Sequence, residues 1–514
     1  MEESSAASGH PEDEDPSART HVPASLTRTT VRGAQFAGLG FVASQGLLFG
    51  TYLVLARLIT PVDFGRYAAG TIITGFGGLF SEGGMIAALI SRRDRMDEAA
   101  STAFFSQAVA GVVLTLIGLA LSPLFGFFFH SDEVAKIAAV LSALLFVKTM
   151  MVVPDALLQR RFSFVKRVVT EPLGTVAFAA TAIPLGASGA GAWSFVAATY
   201  ASAFVQLASA WLFARFRPRV SDASMGMWRE LTAVARPLVA SEIIRRASLQ
   251  VDGLLIGRFV GLAPLGQYRN GLRLAQQPST AFVSIGAYVL LPAFASLAAT
   301  PERMKAAARR VYDIVIAAAL PVSFAALPLG VPIAVLLLGP TWRAAGHAIS
   351  ALCGIVFGTM ILAVATEIFK VTGTARILVQ INVLSLCVVA VTVSLGAHFG
   401  GVVGAAAGMS FSLVVTGCYA LLRVGRLIDL PVRHLAIGNM GALIATAVMV
   451  LVMLAFGSAA DPLSHSRLVG LLLVAAECVV GAATYAAVLL PIDPLRRRQV
   501  SQLVRRIAVR AHLP

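Results

Sequence analysis

The chain is 514 residues long, 57% hydrophobic and only 13% charged, with a mean hydropathy of +0.80. Soluble domains run at about 45–50% apolar and about 25% charged, so the composition excludes a soluble enzyme, a secreted domain and a disordered scaffold. Its 41 Lys and Arg against 26 Asp and Glu give a net charge of +15; on so hydrophobic a chain this points to basic loops beside a membrane rather than to nucleic acid.

Residues 1–33 are polar and open on Glu2, Glu3, Glu12, Asp13, Glu14 and Asp15. They lack the basic start and short apolar core of a secretory signal, and are expected to form a disordered cytoplasmic tail. From Ala34 onward apolar stretches of about 20 residues recur, the length with which a helix crosses about 30 Å of hydrocarbon. Six fall at 34–56, 66–90, 102–124, 134–154, 169–187 and 190–214. Six more fall at 237–257, 270–297, 311–338, 345–369, 377–397 and 400–422, and a last pair at 434–456 and 467–490. The tail at 491–514 carries Arg496, Arg497, Arg498, Arg505, Arg506 and Arg510 between apolar residues, the pattern of an amphipathic helix on an anionic inner leaflet. The period-two alternation of a membrane β-barrel is absent. The four cysteines lie inside apolar runs, with neither a disulfide framework nor metal-ligand spacing.

The basic residues test the span count independently. With the N-terminus inside, thirty of the 41 Lys and Arg fall on cytoplasmic segments and eight on outward connections counted with their flanks, Arg269 and Arg273 among them. Lys148, Arg245 and Arg246 lie within spans. Adding or removing one span would swap sides downstream and destroy this asymmetry. The expected fold is therefore an all-α polytopic membrane protein of about fourteen transmembrane helices, in the cytoplasmic (inner) membrane with both termini cytoplasmic. The connections are too short to hold a folded domain.

An internal repeat organises the spans. Residues 56–70, ARLITPVDFGRYAAG, align without gaps to 257–271, GRFVGLAPLGQYRNG, at an offset of 201. Arg57/Arg258, Gly65/Gly266, Tyr67/Tyr268 and Gly70/Gly271 coincide. Six spans separate the copies, so both have the same orientation, as in a parallel duplication. This divides the chain into a six-helix bundle over 34–214, a second over 237–422 and an extra helix pair over 434–490. The repeated Gly, Tyr and Arg suit tight turns, interface anchoring and snorkelling, and inform architecture more than chemistry.

The run Val251-Asp252-Gly253-Leu254-Leu255-Ile256-Gly257-Arg258-Phe259-Val260-Gly261, followed by Leu265-Gly266-Gln267-Tyr268 and Leu272-Arg273-Leu274, resembles the span 7–8 signature of Wzx-type polysaccharide flippases. These belong to the multidrug/oligosaccharidyl-lipid/polysaccharide (MOP) superfamily. Leu58–Gly65 is similar to that family's first outer turn, Ala156–Phe164 to its span 4–5 loop, and Gly189–Trp193 to its span 5–6 turn. The likeness runs from about 34 to 490; the acidic tail departs from it. The resemblance implies two bundles, spans 1–6 and 7–12, facing each other as a MATE-like V around a central cavity. It also implies translocation of an undecaprenyl-diphosphate-linked oligosaccharide to the outer leaflet by alternating access, feeding exopolysaccharide, capsule or O-antigen assembly. A polysaccharide polymerase and export machinery would be the partners beside membrane lipids.

Ionisable groups within spans cost about 2.5–3.5 kcal/mol each on insertion scales, so they mark function. In span 7, Glu242, Arg245, Arg246, Leu249 and Asp252 follow helical spacing along one face. Arginine's planar fork suits phosphate oxygens, which makes Arg245 and Arg246 candidates for the lipid diphosphate, oriented by Glu242 and Asp252. The bland alternative is a Glu242–Arg246 pair at i, i+4 with no substrate involved. Lys148 in span 4 is a further substrate-binding candidate, although a lysine near the inner side also snorkels. Glu82 in span 2 is the candidate ion-coupling carboxylate. Glu367 reads as interfacial, and Glu477, outside both bundles, as a packing or partner contact.

No catalytic, metal or nucleotide-binding group is read, and no Walker-type loop occurs. The chain is read as no enzyme and as needing no bound cofactor, with Na+ or H+ coupling as one way of driving it. Two alternatives stand beside the flippase: an ion-coupled multidrug exporter of the same superfamily, and a non-transport component or enzyme of envelope glycan assembly.

Overall fold

The computed structural model describes residues 40, 43–82, 89, 94–160 and 164–492. The expected tail at 1–33 and the basic run beyond 492 lie outside the described residues. Among the described residues every regular element is a helix and no strand occurs. Helix α1 runs over 43–58, followed by α2 (Pro61–Glu82), α3 (Met96–Phe129), α4 (Asp132–Arg160), α5 (Phe164–Ala187) and α6 (Ala192–Ala214). The chain then forms α7 (Met225–Phe259), α8 (Leu262–Leu297), α9 (Pro301–Phe324), α10 (Ala326–Leu338), α11 (Arg343–Ala351) and α12 (Ile355–Val371).

The helices outrun the apolar stretches that announced them. α3 is 34 residues long, α7 35 and α8 36, because backbone pairing continues past the hydrocarbon boundary while hydropathy registers only the part inside it. Their ends have local causes. Asp97 and Glu98 complement the dipole in the first turn of α3. Ser224 caps α7, its Oγ accepting the Met227 N–H at 3.1 Å.

The stretches at 311–338 and 345–369 are each two helices, bent by 51° and 49°. The first bend follows Phe324, whose carbonyl cannot be met four residues on because Pro328 has no N–H. At the second, the Gly354 N–H is donated to Ser410 Oγ at 3.1 Å instead of to the preceding turn.

Residues Ala375–Leu427 form one continuous run of helical hydrogen bonding interrupted at Gly400 (φ −133°, ψ 15°) and Gly401 (φ 56°, ψ −136°). Gly396 and Gly404 meet backbone to backbone, and Thr392 Oγ1 donates to the Gly408 carbonyl at 2.8 Å. Such pairing requires the chain to double back, so the run comprises two antiparallel arms, α13 (375–399) and α14 (402–427). The short α15 (Val432–Gly438) leads to α16 (Met440–Ala460) and α17 (Arg467–Ile492). Six described helical segments are long and apolar enough to cross a membrane, or eight when each bent pair counts as one span; the α13–α14 run is one of the six.

Packing follows the repeat. α4 packs on α2, α3 and α6, and α5 on α6. Further on, α12 packs on α8, α9 and the α13–α14 arms, and α7 on those same arms. α16 and α17 pack on each other and reach the rest through α9 and α10. The two repeat copies meet directly where α2 and α8 begin. A methyl group at Gly65 would overlap the Leu262 carbonyl, and one at Gly266 would overlap the Pro61 carbonyl. Pro61 and Leu262 are themselves 201 positions apart. Each glycine thus receives the backbone that stands opposite it in the other copy, the reciprocity of a two-fold axis.

A dense seal surrounds this crossing. Phe64 and Trp342 stack edge to face with centroids 5.0 Å apart, and Trp342 Nε1 donates to the Ala56 carbonyl at 2.7 Å. Arg57 donates to the carbonyls of Leu336 (3.0 Å) and Leu337 (2.9 Å). Leu55, Ile59, Phe195, Leu338 and Ala345 complete a buried apolar cluster.

Candidate functional site

The charged residues of α7 do not share one environment. Leu249, between the arginines and Asp252 in the expected stripe, is 53% exposed, whereas Asp252 is 1% exposed. The helix is rotated so that Arg245 lies on the exposed flank and Arg246 is half-buried. Arg246 Nη1 donates to the Gly75 carbonyl of α2 at 3.2 Å, a contact that ties the second half of the chain to the first. The end of the Gln250 side chain of α7 lies against Gly75, in the space a methyl there would take.

Asp252 does not orient Arg245 or Arg246. Two turns separate them along α7, and its carboxylate is met elsewhere. Oδ1 accepts the Gly253 N–H at 2.7 Å and Arg269 Nη2 at 3.3 Å, and Oδ2 accepts the buried Tyr268 hydroxyl at 3.0 Å. Arg269 Nη2 also reaches Gln250 Oε1 at 3.4 Å. Gly253 makes the pairing sterically feasible, since any Cβ there would strike the Arg269 guanidinium. Arg269 retains 24% side-chain exposure against 2% for Asp252. The result is a guanidinium anchored on one edge by a buried carboxylate, with its remaining N–H groups available to an incoming oxyanion.

One helical turn further along α8, Arg273 stacks on Tyr52 of α1, 3.3 Å from the ring centroid. Arg246 and Arg273 therefore both bridge the two halves, and Arg269, one turn before Arg273 on α8, reaches Gln250 of α7. By sequence Arg269 and Arg273 flank an outer turn; the structure places both inside α8. A signal for them was present. The first repeat copy reads Tyr67-Ala68-Ala69-Gly70 where the second reads Tyr268-Arg269-Asn270-Gly271, so the copies differ where the chemistry is.

Of the other candidates, Lys148 is exposed on α4. Glu82 ends α2 and Glu242 belongs to α7, and their side chains lie outside the described residues. Glu367 pairs with Lys370 at 2.7 Å near the end of α12.

The described residues, all helical and built on two crossing copies of one motif, share the fold of two solved transporters. The solved lipid II flippase MurJ in its inward closed conformation superposes with a TM-score of 0.72 at 12% identity, covering 89% of this chain and 98% of that one. An inward-facing multidrug resistance MATE transporter of the MOP superfamily gives 0.61 at 17% identity, over 75% and 94% of the two chains.

The chain belongs to the polysaccharide biosynthesis protein family, whose sequence pattern matches residues 54–347. It is 25% identical over 321 residues to the succinoglycan biosynthesis transport protein ExoT of Rhizobium meliloti (strain 1021), 62% of this chain and 65% of that one. It is 25% identical over 294 residues to the lipopolysaccharide biosynthesis protein WzxC of Escherichia coli (strain K12), 55% and 57% of the respective lengths. The matches thus span less than two thirds of these relatives. The resemblance to Wzx-type polysaccharide proteins is borne out.

Proposed function

We propose that this protein is a flippase that moves an undecaprenyl-diphosphate-linked oligosaccharide from the inner to the outer leaflet of the cytoplasmic membrane. The observation that carries the reading is the arginine set at the junction of the two halves. Arg246 touches α2, Arg273 touches α1, and Arg269, one turn before Arg273, is held by Asp252. A lipid diphosphate presents two or more negative charges to such a set, and a guanidinium already oriented by a carboxylate loses little freedom on meeting phosphate. Arg245, on the exposed flank, and Lys148 are assigned to the same anion as it enters.

In this reading fourteen helices cross the membrane, with both termini cytoplasmic. Two six-helix halves related by the Gly65–Gly266 axis form the V, and α16 and α17 stand beside it. The α2–α8 crossing is then on the outer side, so the closed seal of Phe64, Trp342 and Arg57 corresponds to an inward-directed state that must part for release outward. Glu82 is the proposed coupling carboxylate for Na+ or H+, with no bound cofactor and no bond-making chemistry. A polymerase and export machinery would take up the saccharide outside. An exporter of cationic drugs is less well supported, because Asp252 is neutralised by Arg269 and the junction is basic.

The test is deletion followed by analysis of lipid-linked saccharides, with complementation by the Arg246→Ala, Arg269→Ala and Arg245→Ala variants at matched membrane levels. The expected result is build-up of undecaprenyl-linked repeat units on the cytoplasmic side, relieved by the wild type and not by Arg246→Ala or Arg269→Ala. A normal glycan with altered drug sensitivity would refute the flippase reading.

A further inference from the structure

A second cluster of arginines lies outside the junction, in a cavity of about 350 Å³ at the far end of the first half. Its walls come from the first turns of α3, the last turn of α4 and the connection from α6 to α7. Arg160, Arg215, Arg217 and Arg219 line it together with Asp97 and Asp222. The sequence Arg215-Phe216-Arg217-Pro218-Arg219 explains the arrangement. Arg215 takes a left-handed conformation (φ 48°) that ends α6, and the chain then runs without regular structure to Arg219, itself extended (φ −120°, ψ 129°). Pro218 stiffens this run and keeps Arg217 extended. Residues two apart in extended chain point the same way, so Arg217 and Arg219 share a side. Phe216, also on the cavity wall, packs against Phe104 and Trp211 at centroid distances of 6.0 and 6.1 Å.

The connection is pinned, not loose. The Arg219 N–H donates to Ser101 Oγ at 3.4 Å, and the Ser224 N–H to Thr102 Oγ1 at 3.1 Å. Ser224 Oγ donates to Glu98 at 2.6 Å, and Glu98 is itself paired with Arg95. Arg160 Nη1 lies 2.7 Å from Met96 Sδ and donates to the Leu89 carbonyl at 3.3 Å. Among the described residues Arg215, Arg217 and Arg219 have no ion-pair partner. The start of α3 adds the positive end of its dipole. Immediately beside these charges, Val220 is 76% exposed and Met225 is 66% exposed. Apolar side chains next to guanidinium groups at a helix end fit a membrane interface better than open water.

We propose that this cavity binds the phosphodiester headgroup of an anionic phospholipid of the leaflet it faces. The arginines meet the phosphate, Asp97 and Asp222 accept hydroxyl groups of a polyol such as glycerol, and Val220 and Met225 contact the acyl region. Because the binding strap joins α6 to α7, an occupied site fastens the link between the two halves to the start of α3. Binding there requires only that these helix ends lie at a membrane surface, and does not depend on what the transporter carries.

The test uses the full chain in nanodiscs of phosphatidylcholine alone or mixed equally with phosphatidylglycerol, reading retained lipid by native mass spectrometry and thermal stability in parallel. Wild type is expected to retain phosphatidylglycerol and to melt higher in the mixed discs. Arg217→Gln/Arg219→Gln should lose retention by roughly tenfold or more, the effect of about 1.4 kcal/mol from two charge-assisted contacts, while melting as wild type in phosphatidylcholine. If the double variant does not fold, Arg219→Gln alone is expected to lower retention severalfold. Equal retention by wild type and the folded variant overturns the proposal. Stabilisation by inorganic phosphate in phosphatidylcholine discs that matches phosphatidylglycerol also overturns it, by assigning the site to a soluble phosphate.

Discussion

Asp252 is the residue on which the geometry of the junction depends, and its replacement gives a graded prediction. Asp252→Ala removes the acceptor of the buried Tyr268 hydroxyl, at about 1–3 kcal/mol. It also leaves the Arg269 guanidinium without its counter-charge, and breaking a buried pair costs about 3–5 kcal/mol in all. Arg269 keeps 24% side-chain exposure, so water relieves part of that penalty and the lower end, about 3 kcal/mol, is expected. Asp252→Asn keeps one acceptor oxygen for the Gly253 N–H and places an amide NH2 where Oδ2 stood, so the Tyr268 hydroxyl must turn from donor to acceptor as the charge is lost. Exchanging a charged for a neutral hydrogen bond puts its cost at about 1–2 kcal/mol. Arg269→Gln added to Asp252→Asn should be milder than the sum of the two, by about 1 kcal/mol, because the pair is lost only once. Heat-induced loss of the monodisperse peak in detergent, calibrated by chemical unfolding, measures the series. Wild-type stability in Asp252→Ala, or strict additivity in the double variant, would refute the pairing as drawn. Complementation should fall in the same order as the side chain that aims Arg269 is lost.

Three further outcomes follow from packing. Gly65→Ala and Gly266→Ala should each destabilise by about 1–3 kcal/mol through overlap with the opposing backbone carbonyl, with Gly46→Ala, at an open position, as the neutral control; the double variant should cost less than the sum, since both open one crossing. Gly401→Ala should cost about 1–3 kcal/mol, because φ 56°, ψ −136° is a glycine conformation, whereas Gly400→Ala, with ordinary φ and free space, should change melting little. Glu477 is 1% exposed and neither carboxylate oxygen has a hydrogen-bond partner. Glu477→Gln and Glu477→Leu are therefore expected to melt at or above wild type and to support export fully, and loss of export in either would give this residue a role that packing does not explain.

The sequence determined the class of this protein because transfer of side chains from water to hydrocarbon is a local property. Apolar runs of span length, their separation by basic loops and the parallel repeat were readable without coordinates, and the observed helices fall on those runs. The tertiary structure decided what a one-dimensional pattern does not contain: the rotation of each helix and the partner each charge finds. Hydropathy does not distinguish a bent span from a straight one, so the breaks after Phe324 and at Gly354 emerged only with the backbone. Helical spacing grouped Asp252 with Arg245 and Arg246, yet the carboxylate turned to Arg269 and Tyr268 on the next helix, 17 and 16 positions away. Arg269 and Arg273 counted as loop charge in the sequence and proved to be junction residues, because only assembly of α1, α2, α7 and α8 shows what lies opposite them. The surplus of positive charge thus has three destinations. Most of it marks the expected cytoplasmic loops; a few arginines join the two halves; and the Arg215–Arg219 strap, one of those basic loops by sequence, became a defined cavity only once α3 was seen to hold it.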